Sequence, residues 1–171
     1  MRRAHEAEYE AFVRAHRGRM MATARLLATG DTQLAEDLVQ NALIRLYLAW
    51  SRARSGNSEA YARRVLVNCF VDHRRRPWVR RESTSDDIPE SLVTAGELDD
   101  SVAAALLDAL RDLPPRMRAA VVLRHVQDLS VDEAADALGC SVGTVKSQTA
   151  RGLAKLRARL DEQLSTPGGN R

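Results

Sequence analysis

Gly143, Thr144, Lys146, Ser147, Gln148 and Arg151 place two hydroxyls, an amide and two cations around a glycine within one short stretch. Such side chains can hydrogen-bond base edges and neutralise phosphates. From Val142 to Leu160 there is no Asp or Glu, whereas Lys146, Arg151, Lys155, Arg157 and Arg159 are basic. A helix start favours acids, so this charge is wrong for its dipole and right for a polyanion. The chain uses 24 Arg and only 2 Lys, so the Lys in Thr-Val-Lys-Ser departs from its general habit.

A second basic set is His73-Arg74-Arg75-Arg76, preceded by Arg63 and Arg64 and followed by Arg80 and Arg81. Cations at a helix C-terminus are favoured by the dipole, which explains part of this run. The remainder points to a second phosphate-facing surface. No catalytic site is expected. His5, His16, His73 and His125 have no nucleophile or ligand at useful spacing and read as surface or helix-packing residues. Cys69 and Cys140 lie far apart without metal-site spacing and read as small, reduced core residues, so neither metal nor cofactor is expected.

Helices must position these groups. Ser130 and Glu133 match a capping box, Gly139 supplies a left-handed helix stop, and Ser141 caps a second helix to about Leu160. Val142, Val145, Leu153, Leu156 and Leu160 form its apolar stripe and leave the polar set on the opposite face. Two helices with a Gly turn and a basic leading end form a helix-turn-helix, whose second helix enters the major groove. Three further helices are predicted upstream. The first spans about His5 to Leu27, with Tyr9, Phe12, Val13, His16, Met20, Ala24 and Leu27 inward, and Gly30 breaks it. Asp31 or Thr32 caps the second, which runs to about Trp50 with Leu34, Leu38, Ala42, Leu46 and Ala49 inward. After a loop over 51–57, Asn57 or Ser58 caps the third, from Glu59 to about Arg75, and Pro77 stops it.

The 171 residues suffice for one sizeable domain or two small ones, and the 4% aromatic content favours helix over sheet. Charge divides the chain. Residues 1–81 carry 16 basic and 8 acidic side chains, residues 82–100 carry 7 acidic and none basic, and residues 101–171 carry 10 basic and 8 acidic. The expected class is therefore all-α, with two small helical domains, 1–81 and 101–164, an acidic flexible linker over 82–100 and a tail over 165–171. Arg2-Arg3 leads into His-Glu-Ala-Glu and not into an apolar core, and no run is long and apolar enough to span a bilayer. A cytoplasmic protein without a membrane partner is expected.

With both basic surfaces placed, the chain over about residues 5–163 resembles a bacterial sigma factor of the small extracytoplasmic-function (ECF) class, which keeps the second and fourth sigma domains. The carrying segments are AEDLVQNALIRLYLAW (35–50), AYARRVLVNCFVDHRRR (60–76) and the block from Leu113 to Arg157. Response-regulator DNA-binding domains use a similar Gly-Thr-Val-Lys-Ser helix, so the first two segments make the resemblance specific. It implies core RNA polymerase and promoter DNA, both duplex and melted non-template strand, as partners, with an anti-sigma factor as a further candidate. Asp37, Gln40 and Asn41 match the surface that docks on the polymerase clamp, with Asn41 where the family usually has Glu. Arg64, Asn68, Asp72, Arg74 and Arg75 match the region that melts the minus-ten element and holds its non-template strand. Gly143, Thr144, Lys146, Ser147, Gln148 and Arg151 match positions that meet the minus-thirty-five element. Gln148 stands where the family often has Arg, and Gln suits adenine where Arg prefers guanine. The family's linker threads polymerase channels that later hold RNA, so the acidic strip reads either as a plain tether or as an RNA mimic. The competing reading is a stand-alone helix-turn-helix regulator with an N-terminal sensing module. A phospho-receiver would need alternating strands and helices, and residues 1–81 have no such pattern.

Overall fold

A computed structural model describes residues 2–75 and 100–165, and all their regular elements are helical. Helix α1 spans Arg2–Leu27, α2 Thr32–Leu48, α3 Trp50–Ala53 and α4 Ser58–Arg75. Then follow α5 (Asp100–Arg111), α6 (Pro115–Val121), a π-helical turn (Val122–Val126), α7 (Val131–Leu138) and α8 (Val142–Ser165). The expectations for a stop at Pro77, for Arg76, Arg80 and Arg81, and for the acidic strip up to Asp99 concern residues outside the described ones.

Local chemistry sets most helix boundaries. Asp31, and not Thr32, caps α2, its carboxylate accepting from the Leu34 N–H at 3.0 Å. Asn57, and not Ser58, accepts from the Ala60 N–H at 2.9 Å ahead of α4. Gly139 takes φ +63°, the left-handed conformation that ends α7, whereas α1 ends through Thr29 at φ +51° followed by Gly30 at φ +89°, with the Gly30 N–H bonding back to the Arg25 carbonyl at 3.0 Å. The structure adds α5 and α6, for which no element was predicted, with α5 starting at Asp100 inside the expected linker, and it departs from the expected outline in two further places. The loop over 51–57 begins with the single turn α3, because Trp50 is buried against Tyr9 and Phe12 and holds the chain there. Helix α8 runs on to Ser165, past the expected end near Leu160, with no glycine or proline in that stretch to stop it.

Helices α1, α2 and α4 pack on one another, as do α5, α6, α7 and α8. Phe70, Leu27, Leu46 and Leu66 fill the first group, and Leu113, Leu123, Val122 and Val145 fill the second. The predicted stripes hold in outline, with α2 burying Ala35 and Val39 while Leu34 is half-buried. Gly152 has no counterpart among the expected core residues. It is buried where α8 crosses α6, and a Cβ there would meet Val121 Cγ2 at 2.5 Å. The two groups also touch each other. Helix α4 packs on α6 and α7, and the buried residues of both groups form one continuous apolar cluster.

Candidate nucleic-acid interface

The helix-turn-helix is built from its caps outward. Ser130 Oγ accepts from the Glu133 N–H at 3.1 Å, and the Glu133 carboxylate accepts from the Ser130 N–H at 2.8 Å. Hydrogen bonds to the carboxylate from the Ser130 N–H first, and then from the Ser130 hydroxyl, hold the Glu133 carboxyl below the usual carboxylate range. Ser141 Oγ accepts from the Thr144 N–H at 3.1 Å and lies 2.9 Å from the Thr144 hydroxyl. Val145, Thr149, Gly152 and Leu156 turn inward, which leaves Gly143, Thr144, Lys146, Ser147 and Arg151 exposed and Gln148 half-exposed. All six predicted residues thus lie on the open leading face of α8. Ser147 is partly engaged, donating to the Thr144 carbonyl at 3.1 Å. A glycine at 143 keeps the backbone open, because the nearest side-chain atom to a Cβ there would be Ser141 Oγ at 3.9 Å.

The second surface, on α4, has a different character. Asn68 and Arg75 are exposed and have solvent before them. Arg64 is half taken up, its guanidinium 3.8 Å from the Asp136 carboxylate on α7. Asp72 accepts from Arg45 of α2 at 3.3 Å in a half-exposed ion pair. Arg74 is half-buried with its guanidinium 6.0 Å from the Phe70 ring, and its Nε has no hydrogen-bond partner among the described residues. Burial lowers the Arg74 pKa first, Asp31 opposes that shift, and the charge of Arg111 adds to it. Of the five predicted residues four are exposed, Arg64 and Asp72 among them in half-exposed ion pairs, and Arg74 is half-buried.

Asp37, Gln40 and Asn41 are exposed on one face of α2. Two apolar residues outside the predicted site, Ile44 and Leu48, continue the same stripe at helical spacing. They are 52% and 81% exposed, and Tyr47 beside them is 42% exposed. Together with Tyr9 and Leu43 they line a groove of about 570 Å³ between α1 and α2. The signal was present in the sequence, since apolar residues occupy every angular position of α2 and a helix in a small bundle cannot bury its whole circumference.

Burial raises the Cys69 thiol pKa, and both cysteines are free. No helix among the described residues is long and apolar enough to cross a membrane.

The sigma-70 region 2 family matches residues 12–80, and the sigma-70 region 4 family matches residues 103–156. The RNA polymerase sigma-E factor of Streptomyces avermitilis is 38% identical over 162 residues, covering 91% of this chain and 87% of that protein. The ECF RNA polymerase sigma factor SigE of Mycolicibacterium smegmatis is 34% identical over 163 residues, covering 92% of this chain and 63% of that protein. Among solved structures, the sigma factor RpoE of Bartonella quintana, in complex with the anti-sigma factor NepR, aligns with a TM-score of 0.67 at 26% identity, covering 93% of this chain and 98% of that one.

Proposed function

The chain belongs to the sigma-70 family, in its extracytoplasmic-function class, and from that premise we propose how its residues divide promoter recognition between them. As a sigma factor it binds core RNA polymerase and directs promoter-specific transcription initiation. In the proposed division, α8 reads the minus-thirty-five element as duplex. Lys146 and Arg151 serve the phosphates, Gln148 an adenine edge, and Thr144 and Ser147 supply shorter hydrogen bonds. Helix α4 opens the minus-ten element. Asn68 takes an unstacked base by its amide, and Arg64, Arg74 and Arg75 take the backbone of the displaced strand. Residues 1–81 and 101–164 act as two modules whose weak DNA contacts become selective when one polymerase holds both. The polymerase supplies the nucleotidyl transfer, this chain supplies positioning, and its place of action is the cytoplasm. By likeness to relatives solved with anti-sigma factors, a protein of that kind is a further partner.

Polymerase docking falls to the α2 stripe of Asp37, Gln40 and Asn41. One observation carries this assignment: carboxylate, amides and the exposed apolar Ile44 and Leu48 follow one another along one helix face. An interface with a polar end and a desolvated apolar end is how a specific protein contact is built. The stand-alone regulator has no use for such a stripe. Asp37→Arg, an exposed substitution that costs under about 0.5 kcal/mol of stability, should abolish stoichiometric capture of core polymerase while leaving the circular dichroism spectrum unchanged. A folded variant that is still captured stoichiometrically would reject the assignment.

A further inference from the structure

Helices α2 and α4 leave a cleft of about 170 Å³ between them, with Asp37 and Asn41 on the α2 side and Asp72 on the α4 side. The docking stripe and the strand-opening face therefore meet there. Arg45 of α2 belongs to neither predicted site, yet it spans this cleft. Its guanidinium lies 3.3 Å from Asp72 Oδ2, and half of each side chain is exposed. Along α2, Arg45 stands one turn beyond Asn41, and along α4, Asp72 stands one turn beyond Asn68. Both charges also reach the buried Cys69 thiol that lines the cleft, whose pKa burial raises first, while Arg45 lowers it and Asp72 raises it.

Asp72 is out of keeping with its surroundings. The exposed face of α4 offers Arg64, Asn68 and Arg75 to a nucleic-acid backbone, which a carboxylate repels. A half-exposed ion pair adds little to stability, so the fold by itself gives little reason for the carboxylate. Recognition gives a better one. A carboxylate only accepts hydrogen bonds, and on an unstacked base the exocyclic amines of cytosine, adenine and guanine donate them. Thymine has no amine, and its ring N–H lies between two carbonyl oxygens that a carboxylate repels. Resting on the strand-opening role of α4 given above, we propose that Arg45 is a positioning residue of the minus-ten site. It holds Asp72 Oδ2, offsets the charge that would repel the strand, and leaves Oδ1 to accept from the amine of an extruded base. The pair thereby rejects thymine at one position of the non-template strand. Asn68 cannot make that distinction, since its amide both donates and accepts. Arginine suits the task because its planar guanidinium orients a carboxylate, which the point charge of a lysine does not.

The test uses holoenzyme assembled from core polymerase and the full chain, with fluorescein-labelled single strands read by anisotropy. Wild-type holoenzyme that assembles but binds no single strand would overturn the strand-opening role of α4, and the role of Arg45 with it. The remaining outcomes bear on Arg45 alone. A randomised strand pool selected by wild type should be depleted of thymine about tenfold at one position, the size of one base contact. Arg45→Ala should weaken binding of the selected strand about fivefold at low salt and shrink the depletion. Arg45→Lys should recover the affinity, because the charge returns, and not the depletion. Asp72→Asn should keep the affinity and lose the depletion, because an amide can also donate to a thymine carbonyl. In that background Arg45→Ala should change binding by less than about twofold, an outcome that neither misfolding nor a direct contact of Arg45 with DNA can produce. Equal weakening by Arg45→Ala in both backgrounds overturns the proposal. So does a wild-type pool without thymine depletion, or a depletion that survives Asp72→Asn.

Discussion

The leading face of α8 and the basic face of α4 both carry cations for DNA, and they are held in opposite ways. On α8 the predicted readers are exposed, Gln148 in part, and the caps and turn that present them come from residues within one or two turns. On α4, Arg64 is paired with α7, Asp72 with α2, and Arg74 rests on Phe70 with a buried nitrogen left unsatisfied. A duplex-reading surface can stand open, because duplex DNA outside the cognate site is bound only weakly through phosphates. A strand-holding surface left open would collect any single strand, because backbone and stacking contacts have little sequence preference. The difference in engagement matches the difference in the selectivity each surface can supply by itself.

The largest expected effect comes from breaking α8 from beneath. Gly152→Val forces a side chain into Val121 Cγ2 and Met117 Cγ, which already lie 2.5 and 3.1 Å from the Cβ position alone. Overpacking of this kind costs about 1–3 kcal/mol and displaces the reading face without touching one DNA-facing residue. A lowered urea midpoint and lost transcription from promoters that need the minus-thirty-five element are expected. Polymerase capture through α2 should survive.

Asn68→Ala addresses the other surface. The side chain is exposed, so the fold should be unaffected, while strand opening should fall about tenfold or more as base contacts worth about 1–3 kcal/mol are lost. Permanganate footprinting on duplex promoter reports the loss, and a pre-melted bubble should rescue it. Failure of the bubble to rescue would place Asn68 outside strand capture and weaken the contrast between reading and opening.

Gln148→Arg should leave affinity nearly constant and move preference at one base pair from adenine toward guanine, about tenfold within the 1–3 kcal/mol range of a bidentate contact. Selection from a randomised promoter library would show it. Lys146→Ala should have the smallest effect, weakening binding uniformly across sequences and reducing the slope of log affinity against log salt by about 0.9, the share of one phosphate. A sequence-dependent loss instead would make Lys146 a reader of bases.

Elements governed by nearest neighbours along the chain were legible in the sequence. The Ser130–Glu133 box, the Gly139 stop, the Ser141 cap and the apolar stripes of α1, α2 and α8 depend on hydrogen bonds and periodicities that span a turn or two. They determined an all-helical chain and the exposed polar face of α8. Burial of an arginine was not legible, because Arg is rarely buried unless paired, and the partners of Arg118 are backbone carbonyls 5 to 91 residues away that any sequence possesses. The role of Gly152 also depends on a helix crossing that no local pattern encodes. The single turn at Trp50 and the pairing of Arg64 with Asp136 were decided in the same way, by what the folded chain brings alongside. Caps and periodicity are chosen within one segment, whereas the state of a surface cation depends on the charge that tertiary packing sets opposite it. The sequence alone thus determined the helical class and the chemistry of both surfaces, and only the tertiary structure decided that the one on α8 is open and the one on α4 is partly paired.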